Sequence, residues 1–134
     1  MHMRAAVLPL FAVLALGLKL GAKVPVTFDD AVKAADANAA TPEGKSYAAD
    51  VSRHFAEQHA SSLAECSQAT GEKDRTAFTM ALRVGKKGLV EEVLVKPETR
   101  TAVCMARTAV KDHLKRPPAP AHWVKVTLTP PSMP

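Results

Sequence analysis

Beyond the first 22 residues, the side chains best suited to chemistry are Cys66 and Cys104, four histidines (His54, His59, His113 and His122) and the adjacent carboxylates Glu91 and Glu92. A cysteine nucleophile needs a free thiolate beside a histidine base, and thiol–disulfide exchange commonly runs on C-x-x-C, a spacing this sequence lacks. Zinc ligands on one helix are set about a turn apart. His54 and His59 are five residues apart and diverge around a continuous helix, so no metal site is expected. Glu91 and Glu92 are neighbours in an extended segment, where successive side chains face opposite ways, which speaks against paired acid–base work. The glycines are scattered and form no phosphate-binding loop. No enzymatic activity and no cofactor are expected.

The first residues set the compartment. Arg4 precedes an apolar run from Ala5 to Leu18, then Lys19 and the small residues Gly21 and Ala22, the layout of a secretory signal peptide. The run falls short of the roughly 20 residues that span a bilayer, so no stable membrane insertion is expected after cleavage. We read residues 1–22 as the signal, with cleavage after Gly17 as the alternative to cleavage after Ala22, 23–40 as a short N-terminal helix, 41–130 as one α+β domain and 131–134 as a tail. Of the chain's 134 residues, 112 then remain, and 16 basic residues face 13 acidic ones. A small excess spread along the chain is no nucleic-acid footprint, which needs a basic stripe. In an oxidising compartment two cysteines most simply pair with each other. A Cys66–Cys104 bond would close a loop of about 38 residues and contribute roughly 3 to 4 kcal/mol by the chain-entropy estimate.

The elements that must position these residues follow from patterning. Thr27 caps a short helix carrying Phe28, Val32 and Ala35. Thr41 caps a second, with Pro42 at its first position, in which Tyr47, Val51, Phe55, Leu63 and Cys66 line one side, with an irregularity near Ser61. After the polar loop "SQATGEKDR", "AFTMALRV" alternates as a half-buried strand. "GKKG" turns it into "LVEEVLV", whose valines share a face if Glu91 and Glu92 absorb a bulge. From Thr99, the residues Val103, Ala106, Val110 and Leu114 form a helical stripe, with Cys104 off to its side toward a neighbouring helix. Pro117 and Pro118 stop that helix, and "WVKVTLT" is a last alternating strand. Helices on one face of a three-stranded antiparallel sheet result, the first strand in the middle and the last on an edge.

From Tyr47 to Leu128 the pattern resembles the C-terminal domain of the energy transducer TonB and its two-cysteine relatives in Gram-negative envelopes. The resemblance is carried by Cys66 before the first strand, the "VGKKGLVEEVLVKPET" hairpin, Cys104 in the following helix and the proline connector before the last strand. Small secreted proteins of unassigned function with counterparts of "ATPEGKSY" and "PPAPAHWVKV" look similar too. The resemblance implies the same fold and docking of an extended peptide beside the last strand. The family's membrane helix and long proline-rich spacer are not expected here, so force transmission is not implied.

Strand addition draws affinity from backbone groups and selectivity from alternate side chains. The expected partner contacts are therefore Trp123, Lys125, Thr127 and Thr129, and the expected partner is an envelope protein or extended peptide. Lys125, Pro130 and Pro131 are also the residue types that blunt an edge. The alternative is a secreted inhibitor or immunity protein that plugs an envelope enzyme with "SQATGEKDR" or "PPAPAH". The signal reading makes a direct prediction: N-terminal sequencing of exported protein should begin at Lys23, and an intact Met1 in the membrane fraction would refute it.

Overall fold

The computed structural model describes residues 26–71 and 75–131; the expected signal segment with its cleavage point, and most of the expected tail, lie outside these residues. Seven elements follow in order: α1 (Phe28–Asn38), α2 (Pro42–Gln58), α3 (Ala60–Thr70), β1 (Phe78–Val84), β2 (Val90–Lys96), α4 (Arg100–Ala109) and β3 (His122–Leu128). The fold is α+β, with an antiparallel sheet in the order β2-β1-β3, so the first strand is central and the last lies on an edge, as expected. Three expected caps hold: the hydroxyls of Thr27, Thr41 and Thr99 accept the amides of Asp30, Gly44 and Ala102, satisfying donors that a helix start leaves open.

The main core lies on one face of the sheet. Met80, Leu82 and Val84 of β1, with Val124 and Val126 of β3, meet Tyr47, Val51 and Phe55 from α2, Leu63 and Cys66 from α3, and Ala102, Met105 and Ala109 from α4. Phe55, Phe78, Met80, Leu82 and Met105 are fully buried. One helix departs from the expectation that all pack on this face. Strand alternation sends Ala81 and Trp123 to the opposite face, where they are buried under Ala31 and Ala35 of α1. The tight α1–α2 turn is made possible by Gly44, where a β-carbon would collide with the Asn38 carbonyl.

Two helix ends differ from the sequence reading. The helix expected to run from Pro42 to Cys66 is two helices, broken at His59, whose φ of −119° and ψ of 12° are not helical; the second then continues to Thr70 and stops at the left-handed Gly71. The helix after Thr99 was expected to reach the prolines at 117 and 118 but ends at Ala109. Lys111 turns the chain at φ 70°, and the freed backbone pairs with the start of β2: the Lys111 amide donates to Val90 and the Val90 amide to Asp112, at 2.8 and 2.9 Å. Another helical turn would forgo these bonds. The buried stripe of α4 is accordingly Thr101, Ala102, Met105 and Ala109, displaced by about one residue from the one expected, and Val110 is 36% exposed. The predicted bulge is present: Arg83 pairs with Glu92 and Val84 with Val90, leaving Glu91 over.

Cys66 and Cys104 are bonded and join α3 to α4 side by side. Intact-mass analysis should show the gain of two hydrogens on reduction. Urea unfolding of the reduced protein should show a loss of about 3 kcal/mol, since the crosslink restrains a long loop of the unfolded chain. Unchanged stability on reduction would mean that packing of α3 on α4 alone holds this side of the core.

Candidate functional site

Three polar side chains meet where α2 breaks. His54 stands in the last turns of α2 and His59 at the break itself; on an unbroken helix they would be well apart, but the non-helical backbone of His59 turns its ring back over Phe55, with which it stacks at 4.8 Å between centroids. Both imidazoles converge on Asp112, each Nε2 lying against Oδ2, at 2.9 Å for His54 and 2.7 Å for His59. Asp112 Oδ1 accepts the His113 amide at 2.9 Å. Burial pushes the Asp112 carboxyl upward, but the bonds from His59, His54 and the His113 amide outweigh it and hold the group below the ordinary carboxylate range. His59 Nδ1 is buried without a hydrogen-bond partner. A cleft of about 190 Å³ lies alongside, bounded by His54, Asp50, Glu57 and Lys115. The sequence reading separated the two histidines because it ran one helix through both, and Asp112 carried no signal while α4 was thought to continue past it.

The sheet edges form the second candidate. The Trp123 carbonyl accepts Asn38 Nδ2 at 3.0 Å, so it points away from β1. By the alternation of antiparallel pairing, Lys125 and Thr127 also turn their backbone groups outward. Arg83, opposite Trp123, then bonds toward β2, while Leu82 and Met80 bond toward β3; their β2 partners Val93 and Val95 therefore face outward from the other edge. An open groove of about 480 Å³ runs beside them. Phe28 of α1 stands on one side of it and, on the other, Val103 and Ala106 of α4 with Val110 at its C-terminal cap, the stripe that misses the core.

The expected contacts on β3 fare differently. Trp123 is 8% exposed and packs under α1, so it caps a core and is not available to a partner. Lys125 is exposed and ion-paired to Asp36 at 2.7 Å. The exposed Thr127 shares a hydrogen bond with Thr79 at 3.0 Å, and Thr129 is exposed just past the strand. Glu91 and Glu92 do not face opposite ways, because the bulge lets both reach Arg83, at 2.6 and 3.3 Å. That arrangement ties both carboxylates to a single guanidinium.

No protein-family profile matches the chain, and no curated protein or solved structure matches it either. The likeness to TonB therefore rests on the residues quoted above. No helix among the described residues is long and apolar enough to cross a membrane.

His122 is the one fully buried histidine among the described residues. It lies edge-on to Tyr47 at 5.2 Å, its Nδ1 has no partner, and burial holds its pKa below the ordinary 6.5. Between those two values the unfolded chain binds a proton that the folded chain does not. Its contribution to stability is therefore complete above about pH 6.5 and is lost as pH falls through that window. His122→Phe should flatten the decline in urea midpoint between about pH 7 and 5.5; an unchanged slope would assign the decline to other groups.

Proposed function

We propose that this chain is a non-enzymatic binding domain of the exported, TonB-like kind, which takes an extended peptide from an envelope protein as an additional strand. The observation that carries this reading is the groove along β2. Outward backbone groups at Val93 and Val95 lie at its floor, and apolar side chains stand on both sides of it. A strand added there would place alternate side chains against Phe28 and against the α4 stripe. Strand addition draws on both elements, backbone bonds for affinity and side-chain pockets for choice. Glu98 and Arg107 at the groove provide opposite charges for fixing direction. The disulfide supports an oxidising compartment.

The β3 edge supports the same mode less well. Asn38 occupies the Trp123 carbonyl and Lys125 is tied to Asp36, both devices that blunt an edge. The open part of β3 is thereby reduced to its second half.

Peptides selected from a displayed random library against the intact, disulfide-bonded protein provide the test. Bound peptide should protect the Val93 and Val95 amides from hydrogen exchange. Val110→Glu should weaken binding at least tenfold without changing the fold, since Val110 lies outside the core, while Thr127→Pro should leave affinity unchanged. The reverse pattern would move docking to β3. Failure to select any peptide would overturn the peptide reading and bring forward a loop-borne inhibitor.

A further inference from the structure

We propose that His54, His59 and Asp112 form a binding site for a borderline divalent cation of the zinc type, independent of the peptide groove. Their potential ligand atoms all lie within 4.8 Å of one another. Two imidazole nitrogens with one carboxylate oxygen are the donor set that zinc and its first-row neighbours accept, with further coordination positions left for water or another ligand. The cleft beside His54 supplies both the room for those positions and the path of entry.

The donors are held by three separate stretches of backbone. His54 belongs to α2. His59 sits at the break, its amide bonded to the Phe55 carbonyl at 3.1 Å. Asp112 is delivered by the connector, which is fixed to Val90 through both of that residue's backbone groups and to Ala109 through the Asp112 amide at 3.1 Å. The left-handed Lys111 is the unfavourable conformation that makes this delivery possible, and a non-glycine residue is held there only when its surroundings demand it. The preformed arrangement needs little movement to accept an ion. Ligands bound at 2.0–2.1 Å in tetrahedral geometry stand about 3.3 Å apart, whereas the present nitrogen–oxygen separations are 2.9 and 2.7 Å. Small rotations of the three side chains open that space.

Metal binding changes the proton inventory of the cluster. A neutral imidazole that donates its Nε2–H to the carboxylate has an unprotonated Nδ1. With a cation on Nε2 the proton of the neutral ring resides on Nδ1, which in strong sites is held by an acceptor. His59 Nδ1 has none. The site should accordingly bind roughly 10- to 100-fold more weakly than one with that bond in place, in the manner of an exchangeable site and not a permanent structural one.

The test is calorimetric titration of the chelator-treated, disulfide-bonded protein with Zn²⁺ alone. One equivalent should bind, and Zn²⁺ at about a hundredfold excess over its Kd should raise the melting midpoint by roughly 10 °C. His54→Gln and Asp112→Asn should each weaken binding at least tenfold with far-ultraviolet circular dichroism retained. His113→Gln, which alters the exposed neighbouring histidine, should not. Should Asp112→Asn unfold, His54→Gln remains decisive, because that ring is partly exposed and outside the core cluster. Cobalt(II) in place of zinc should give the intense visible bands of a low-symmetry, histidine-bound ion. Absence of stoichiometric binding, or binding unaffected by His54→Gln, would overturn the proposal and leave the cluster as a hydrogen-bonded lock.

Discussion

Ala81 points away from the main core and yet has no exposed surface. That single position expresses the constraint on which the architecture depends: β1 is covered on both faces at its centre. A three-stranded sheet with one bare face would leave Ala81, Leu94 and the Trp123 ring in water. Helix α1 supplies the cover, and it is composed for the task, with alanines at 31 and 35 that let its backbone approach the sheet closely. The α1–α2 turn follows from the same need. Gly44 admits the Asn38 carbonyl, and the Asn38 side chain then reaches the β3 backbone. One short helix thereby completes a second small core and blunts one edge of the sheet.

Much of this was legible in the residues. Threonine caps mark three helix starts because their hydroxyls answer an obligatory need of the backbone, and strict alternation from Phe78 to Val84 leaves no helical option. Glu91 and Glu92 announce a bulge because the valines around them cannot otherwise share a face. The helix ends were less legible. Nothing local stops α4 at Ala109; it stops because a distant strand offers Lys111 and Asp112 better bonds than another turn would. Such tertiary competition has no sequence period.

The histidine cluster was hidden for the same reason, twice over. His54 and His59 meet only because α2 breaks between them and α3, and Asp112 joins them only because α4 ends early. The apolar groove has a related origin. Val103, Ala106 and Val110 do form a stripe, but the helix is rotated so that Ala102, Met105 and Ala109 face the sheet. Periodicity finds an apolar face without saying whether the protein or a partner will cover it.

The placement of the Cys66–Cys104 bond has a mechanical consequence. The crosslink spans 38 positions of sequence and encloses β1 and β2 entirely, while β3 and the first two helices lie outside it. A pull on the two ends of the chain would peel β3 from β1 and unravel α1 and α2, but the enclosed stretch could not lengthen. Fully drawn out, that stretch would add about 130 Å of contour, from some 3.4 Å per residue, and this length is withheld while the bond is intact. An unfolding machine that threads a single strand would meet a closed ring at the hairpin. The oxidised domain is thus built to yield at its periphery and to keep its central hairpin whole.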